Sequence, residues 1–419
     1  RFITRQEDPL NGGTPPDVLR ESLITPVEAF YVRSHGSLPV VDGEKFRLIV
    51  NGLVDRVLSL SIEDLRTRFP KREVTSTLQC AGNRRRELAE VAPMAEGSVM
   101  WDTEAISTAI WGGVSLTEVL EAAGIDLRPE AVQEHHVAFC GLDVVKKNDQ
   151  KLHFGGSIPL EKALDPCVIL AYEMNGEPLR PLHGYPLRVV VPGYIAARSV
   201  KWLSTITVQN QPSQNHFQQQ DYKLFPKDVT AETVDWSQGK QLSAMQTDAV
   251  ICSPADGEQV QPGWMVVKGY AIAAEHAAIT SVEVSCDDGR TWRPATLLNQ
   301  HQDYVWRFWE IELELPPGQH SLIVRAHDTT GEDQPADADE VWNFRGYMNN
   351  SLHRIQIYVG QAAQTFLNSK PTITNSKGFD ATSRSTGSAG HHRATDTDFT
   401  SDSRDSERRL YAPAGRRRF

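Results

Sequence analysis

The stretch EVTSTLQCAGNRRRE, residues 73–87, runs from a β-branched strand pattern into a turn and then into charge. Val74 to Leu78 reads as a strand, Cys80 stands at its end, Ala81-Gly82-Asn83 supply a turn, and Arg84, Arg85 and Arg86 follow. A thiol beside three guanidinium groups has its thiolate favoured if the side chains converge, and a thiolate serves as nucleophile, redox sensor or soft-metal ligand. The alternative, a buried cysteine with solvated arginines beyond it, stays open at this point.

Outward from that stretch, strand and helix signals alternate irregularly. FRLIVNGLV (46–54) alternates apolar and polar residues before a turn at Asn51-Gly52. HHVAFCGLDVV, CVILAYEMNG, PLRVVVPG and VKWLSTITVQ also read as strands. SIEDLRTRF (61–69) has a serine N-cap ahead of acidic residues. In SLTEVLEAAGI (115–125), Ser115 and Glu118 suit a capping box and Gly124 a stop. The irregular order predicts an α+β domain over 1–243. From AVICSPADGEQV to HRIQIYVG, short strands recur between Gly, Pro and Asp turns, with Asp288-Gly289 as a hairpin turn. This spacing predicts a β-sandwich over 244–366, with Trp292, Trp306 and Trp309 in its core. Residues 367–419 are too polar and simple in composition to order themselves and read as a tail, including His391-His392.

Composition narrows the function. With 419 residues the chain can bury a large core, and no apolar run approaches the roughly 18 to 20 residues of a membrane span. A net charge of −11 argues against general nucleic-acid binding, so local basic clusters need local causes. Five cysteines without a CxxC pair signal neither a zinc ribbon nor a disulfide framework, and a reducing compartment is the simpler reading. The start at Arg1, without Met or an apolar leader, reads as a processed or trimmed product.

Besides Cys80, two segments carry candidate chemistry. LHGYPLRVVVPGYIAARSVKWL (182–203) sets His183, Arg188, Arg198 and Lys201 around a strand and a Pro-Gly turn, a receptor for a multiply charged anion or a cationic strand edge. FYVRSHG (30–36) adds Arg33 and His35 in a loop. Cys140 and Cys167 sit in apolar runs and read as packing, His135-His136 at a strand entry read as packed or exposed rather than ligating, and Asn349-Asn350-Ser351 reads as a chance glycosylation sequon.

TPVEAFYVRSHG, TLQCAGNRRRE, AISTAIWGGVSL, FGGSIPLEKA, LAYEMNGEPLRPLHGYPLRVVVPGYIAARSVKWL and WNFRGYMNN, in this order over about residues 20 to 360, resemble the eukaryotic sulfite oxidase family. The resemblance implies a mixed α/β molybdopterin-binding domain followed by an immunoglobulin-like domain that supports a homodimer. It implies Cys80 as a thiolate ligand of molybdenum, which suits soft sulfur. It implies cofactor-binding positions at Tyr31, Val32, Arg33, Ser34, His35, Asp143, His183, Arg188, Ser199, Val200 and Lys201. The substrate group it implies is Arg33, Arg85 and Arg345, with Tyr222 of QQDYK, around sulfite, while Arg84 and Arg86 receive no role. Two electrons then pass to an external acceptor, oxygen or cytochrome c. A nitrate reductase-type molybdenum domain is the alternative within the superfamily; Tyr222 and Arg345 favour sulfite. A non-catalytic binding protein on this fold is the alternative outside it. The chain resembles the plant type, without a haem domain. Its compartment stays open among a reducing intracellular one, the mitochondrial intermembrane space and the peroxisome, since Arg418-Phe419 is no SKL-type address.

Overall fold

A computed structural model describes residues 2–147 and 150–360. The expected tail, 367–419, and its His391-His392 lie outside the described residues.

Two five-stranded sheets form the first part. In one, Lys71–Gln79 pairs with Ile106–Ser115, which pairs with Ile169–Met174; Glu177–Pro178 and Arg188–Val190 both pair with Ile169–Met174. In the other the order is Leu58–Leu60, Leu48–Gly52, Leu203–Gln209, His136–Lys147 and Gln150–Pro159. Its Leu203–Gln209 strand runs parallel to Leu48–Gly52, and its other pairs are antiparallel. Short helices cover these sheets. Ser61 caps Ile62–Arg68 in a reciprocal box with Asp64. Ser115 accepts from Glu118 N to cap Leu116–Ala123, but the box is only half made because the Glu118 carboxylate pairs with Arg72. Gly124, at φ 75°, closes that helix in the left-handed region.

The later strands build two further sheets. One orders Asp248–Ser253, Gly263–Ile272, Arg307–Leu315 and Thr296–Leu297. The second orders Gln259–Val260, His353–Val359, Gly318–Asp328, Ile279–Ser285 and Arg293–Pro294. Ala249, Ile251, Val267 and Ala271 meet Val282, Val284, Leu322, Val324, Ile355 and Ile357 in one apolar core, which makes this the expected sandwich. Side chains alternate along each strand, so Val250 and Cys252 point the other way, into a layer with Leu19, Ile106, Tyr270, Trp306 and Phe308. The strand Asp248–Ser253 is therefore buried on both faces, which is why AVIC is continuously apolar.

The tryptophan expectation needs correction. Trp309 lies in the sandwich core, but Trp306 fills the layer between the sandwich and the first part. Trp292, after the Asp288-Gly289 turn, is only half-buried beneath the Arg325 guanidinium, 4.1 Å above its ring. Among the described residues no helix is long and apolar enough to cross a membrane.

Candidate active site

The strand Lys71–Gln79 delivers Cys80 to the wall of a cavity of about 670 Å3. Backbone bonds hold the cysteine: its N–H donates to Ala105 O at 2.9 Å, and its carbonyl accepts from Asn83 N at 2.9 Å. Gly82 N–H lies 3.5 Å from Sγ, positioned to support a thiolate. The same cavity is lined by Tyr31, Arg33, Ser34, His35, Asp143, His183, Arg188, Ser199, Lys201 and Tyr222. Segments spread along the chain from Tyr31 to Tyr222 thus converge on one thiol. Among the described residues Asp143 is the only acid in the lining, so the cavity is cationic in a chain of net charge −11.

Alternation decides which neighbours enter. Tyr31 and Arg33 line the cavity, whereas Val32 pairs its backbone with Gly12. Ser199 and Lys201 line it, whereas the Val200 side chain joins the apolar core and its carbonyl accepts from Val189 N. The side chains of Val32 and Val200, both expected among the cofactor-binding positions, thus lie outside the lining. Arg198 also faces away: it donates to Leu242 O and to Gln218 Oε1, at 2.6 and 3.2 Å.

The lining cations are preset by main-chain carbonyls. Arg188 donates to His183 O at 3.1 Å and Ser199 O at 3.0 Å, while its buried Nε has no partner among the described residues. Lys201 Nζ donates to Leu182 O at 3.0 Å and Ser34 Oγ at 3.2 Å. Burial, then the charge of Arg188, pulls the Lys201 ammonium down to about 7, with Asp143 opposing. Burial, then Lys201 and Arg188, pushes His183 down to about 3, so its imidazole is neutral. His183 Nε2 lies 3.0 Å from Val27 O. Burial and then Arg33 and Lys201 likewise hold His35 well below its ordinary value. His35 Nε2 contacts Tyr222 Oη at 2.8 Å, and its ring stacks on Phe154 at 4.5 Å.

Arg85 and Arg345 do not line the cavity; they gather beside it around Tyr347. Arg85 lies 5.0 Å and Arg345 5.6 Å from the Tyr347 ring, and that ring stacks on Tyr222 at 5.5 Å. Arg85 donates to Val99 O and Gly346 O, at 2.7 and 3.1 Å, and burial lowers its pKa below the ordinary arginine value. Arg345 pairs with Asp221 at 3.1 Å, and a π-helical turn, Phe217–Asp221, presents Tyr222 next to it. The arginine triplet therefore divides. Arg86 is an exposed partner of Asp102, and Arg84 is fully buried against Asp248.

Sequence reasoning missed the apolar lining, notably Phe30, Phe154, Leu182 and Trp202, and missed Asn11. Asn11 Oδ1 accepts from Ser34 N at 2.8 Å and Arg33 Nη1 at 3.2 Å, fixing the FYVRSHG loop. An asparagine before Gly12-Gly13, where a Cβ would meet backbone or side-chain atoms, was the available signal.

The donor set fits a metal that arrives with an organic, anionic ligand. Among the described residues no group of three His, Cys, Asp or Glu side chains forms a protein metal cage, and Cys80 is a soft donor in the cavity lining. The unpartnered Arg188 Nε and the preset Lys201 offer donors to an anionic group.

Residues 35–217 match the family described as an oxidoreductase molybdopterin binding domain, and residues 240–360 match a Mo-co oxidoreductase dimerisation domain. The chain is 42% identical over 360 residues to the mitochondrial sulfite oxidase of Homo sapiens, covering 84% of this chain and 64% of that protein's length. It is 37% identical over 372 residues to the sulfite oxidase of Arabidopsis thaliana, covering 85% and 93%. The crystal structure of the sulfane dehydrogenase SoxCD from Paracoccus pantotrophus is similar at a TM-score of 0.70 and 26% identity, covering 86% of this chain and 89% of that one.

Proposed function

The chain belongs to the sulfite oxidase family of molybdopterin-binding oxidoreductases, and we propose that it oxidises sulfite to sulfate. The observation that carries this reading is that Cys80 opens, with Arg33, Arg188 and Lys201, into one cavity whose only lining acid among the described residues is Asp143. When bound, the molybdenum cofactor supplies oxygen-atom transfer and accepts two electrons. The reaction then balances as sulfite plus water giving sulfate, two protons and two electrons, the electrons passing to an external acceptor, oxygen or cytochrome c.

In this reading Cys80 is the thiolate that holds the metal. Lys201, Arg188 and Ser199 hold the anionic part of the cofactor, with Tyr31, Ser34, His35, Asp143 and His183 around it. Sulfite is compact and charged, so guanidinium forks select it better than apolar contacts can. Arg33 lines the cavity, and Arg85 and Arg345 approach it from beside Tyr347. Burial raises the Tyr222 phenol well above its ordinary value, so it stays protonated and can donate to a sulfite oxygen. Residues 1–243 form the catalytic domain and residues 244–366 the dimerisation domain of a homodimer, which sedimentation at twice the chain mass would support.

The test pairs two assays on the purified, cofactor-loaded protein. Sulfite-dependent reduction of cytochrome c or consumption of oxygen is expected, with little nitrate reduction by a reduced viologen; robust nitrate turnover without sulfite oxidation overturns the proposal. Cys80→Ser is expected to lose molybdenum by metal analysis while keeping the circular-dichroism spectrum of the folded protein, and retained metal would remove the ligand assignment.

A further inference from the structure

Behind the Cys80 loop lies a second cavity, of about 260 Å3, which shares Cys80 and Ala81 with the first. Three residues of its wall carry a buried oxygen with no hydrogen-bond partner among the described residues: Gln79 Oε1, Asp248 Oδ2 and Asn350 Oδ1. Gln79 is 7% and Asp248 1% exposed, so these groups have little access to bulk water. All three atoms are acceptors, and one belongs to a carboxylate. Leaving such atoms unmatched is costly, and leaving a carboxylate unmatched costs most.

The charges around them point the same way. Arg84 is shared by two carboxylates: Nη1 meets Asp248 Oδ1 at 2.5 Å, while Nε and Nη2 meet the two oxygens of Glu87 at 2.8 and 2.6 Å. His353 adds no second cation. Its Nδ1 accepts from Ile251 N–H at 3.2 Å, which an imidazolium cannot do, and burial holds it down to about 4. Arg84 is the only cation paired with Asp248 among the described residues, so the group of Arg84, Glu87, Asp248 and His353 carries one negative charge in excess. Burial pushes Asp248 up to about 6 even with Arg84 beside it, as expected of a carboxylate that is only partly compensated.

We propose that this cavity is a binding site for a monovalent alkali cation, held by Asp248 Oδ2 and the amide oxygens of Gln79 and Asn350. Carboxylate and amide oxygens are hard ligands suited to such ions and not to soft metals. A single positive charge cancels the excess, whereas a divalent ion would leave a buried surplus of the opposite sign. Water can satisfy the three acceptors but not the charge. Gln79 ends the strand that leads into Cys80, and Asp248 begins the first strand of the sandwich, so the ion ties the cysteine loop to the sandwich.

The site is tested without reference to any substrate. Melting of the cofactor-loaded protein in potassium chloride is compared with melting in choline chloride at equal ionic strength. A rise in Tm of roughly 2 to 4 °C in potassium is expected, as for a ligand that binds only the folded state. Asp248→Asn should abolish the rise. Gln79→Met, which keeps volume and leaves the Arg84 pair untouched, should reduce it and serves if the first variant fails to fold. Crystals soaked in rubidium chloride should show an anomalous peak within contact distance of the three oxygens. Equal melting in both salts, or ordinary water without an anomalous peak in that cavity, overturns the proposal.

Discussion

Lys201 is poised at the pH where its charge is most sensitive. Burial and Arg188 bring it to about 7, so near neutrality it is only partly protonated. An anion held against Nζ favours the ammonium, so binding takes up a proton: affinity strengthens as pH falls through 7 and weakens as it rises above. Sulfate, which does not titrate in this range, is a suitable probe for the cofactor-free protein. Its affinity measured by calorimetry is expected to fall by up to about tenfold per pH unit above 7, the limit for one coupled proton. Lys201→Met should flatten the profile, and an affinity constant from pH 6 to 9 in the unaltered protein would refute the assignment. Cys80 and Lys201 were both legible as candidates in the sequence because their residue types are chemically conspicuous. Val32 and Val200 were not separable from their neighbours until the backbone showed which way each pointed.

The Cys80 turn works by close approach. Arg85 begins the helix Arg85–Val91, and its guanidinium packs so tightly on Gly82 that a Cβ there would collide with Nη2 and sit 2.6 Å from Cζ. Gly82→Ala should therefore displace Arg85 while leaving a folded protein. On the sulfite reading, kcat/KM is expected to fall about tenfold or more, the cost of one charged hydrogen bond, chiefly through KM. Unchanged sulfite kinetics would show that Arg85 does not act on substrate. Helix ends were readable in advance, since the Ser61 cap and the Gly124 stop depend on neighbours within one turn. The broken half of the Ser115 box was not, because Arg72, which claims Glu118, comes from the strand Lys71–Gln79, distant in sequence.

For the whole molecule, Arg84 joins the cysteine loop to the sandwich. It is fully buried, pairs with Asp248 across 164 positions of sequence and donates to Ser351 O at 2.8 Å. Arg84→Met removes the cation but leaves two carboxylates, so a loss of about 3 to 5 kcal/mol is expected. Denaturant unfolding measures it, and Arg84→Met with Asp248→Asn should recover part of the loss; a variant as stable as the parent would deny the pairing this role. Arg20 adds a second tie, donating to Gly269 O at 3.0 Å and lying 4.2 Å over the Phe308 ring. By itself the sequence determined the α+β class, the sandwich strands, the helix caps and the segments that meet at Cys80, because periodicity, caps and turns are local, and the ordered family motifs identify a known arrangement. Only the tertiary structure decided that Arg84 is a buried lock while Arg86 is a surface pair, that Trp306 seals a layer while Trp292 stays half-buried, and that Arg85 and Arg345 meet around Tyr347. Those outcomes depend on which distant atoms share a buried space, and burial, charge compensation and orientation arise only when the elements pack.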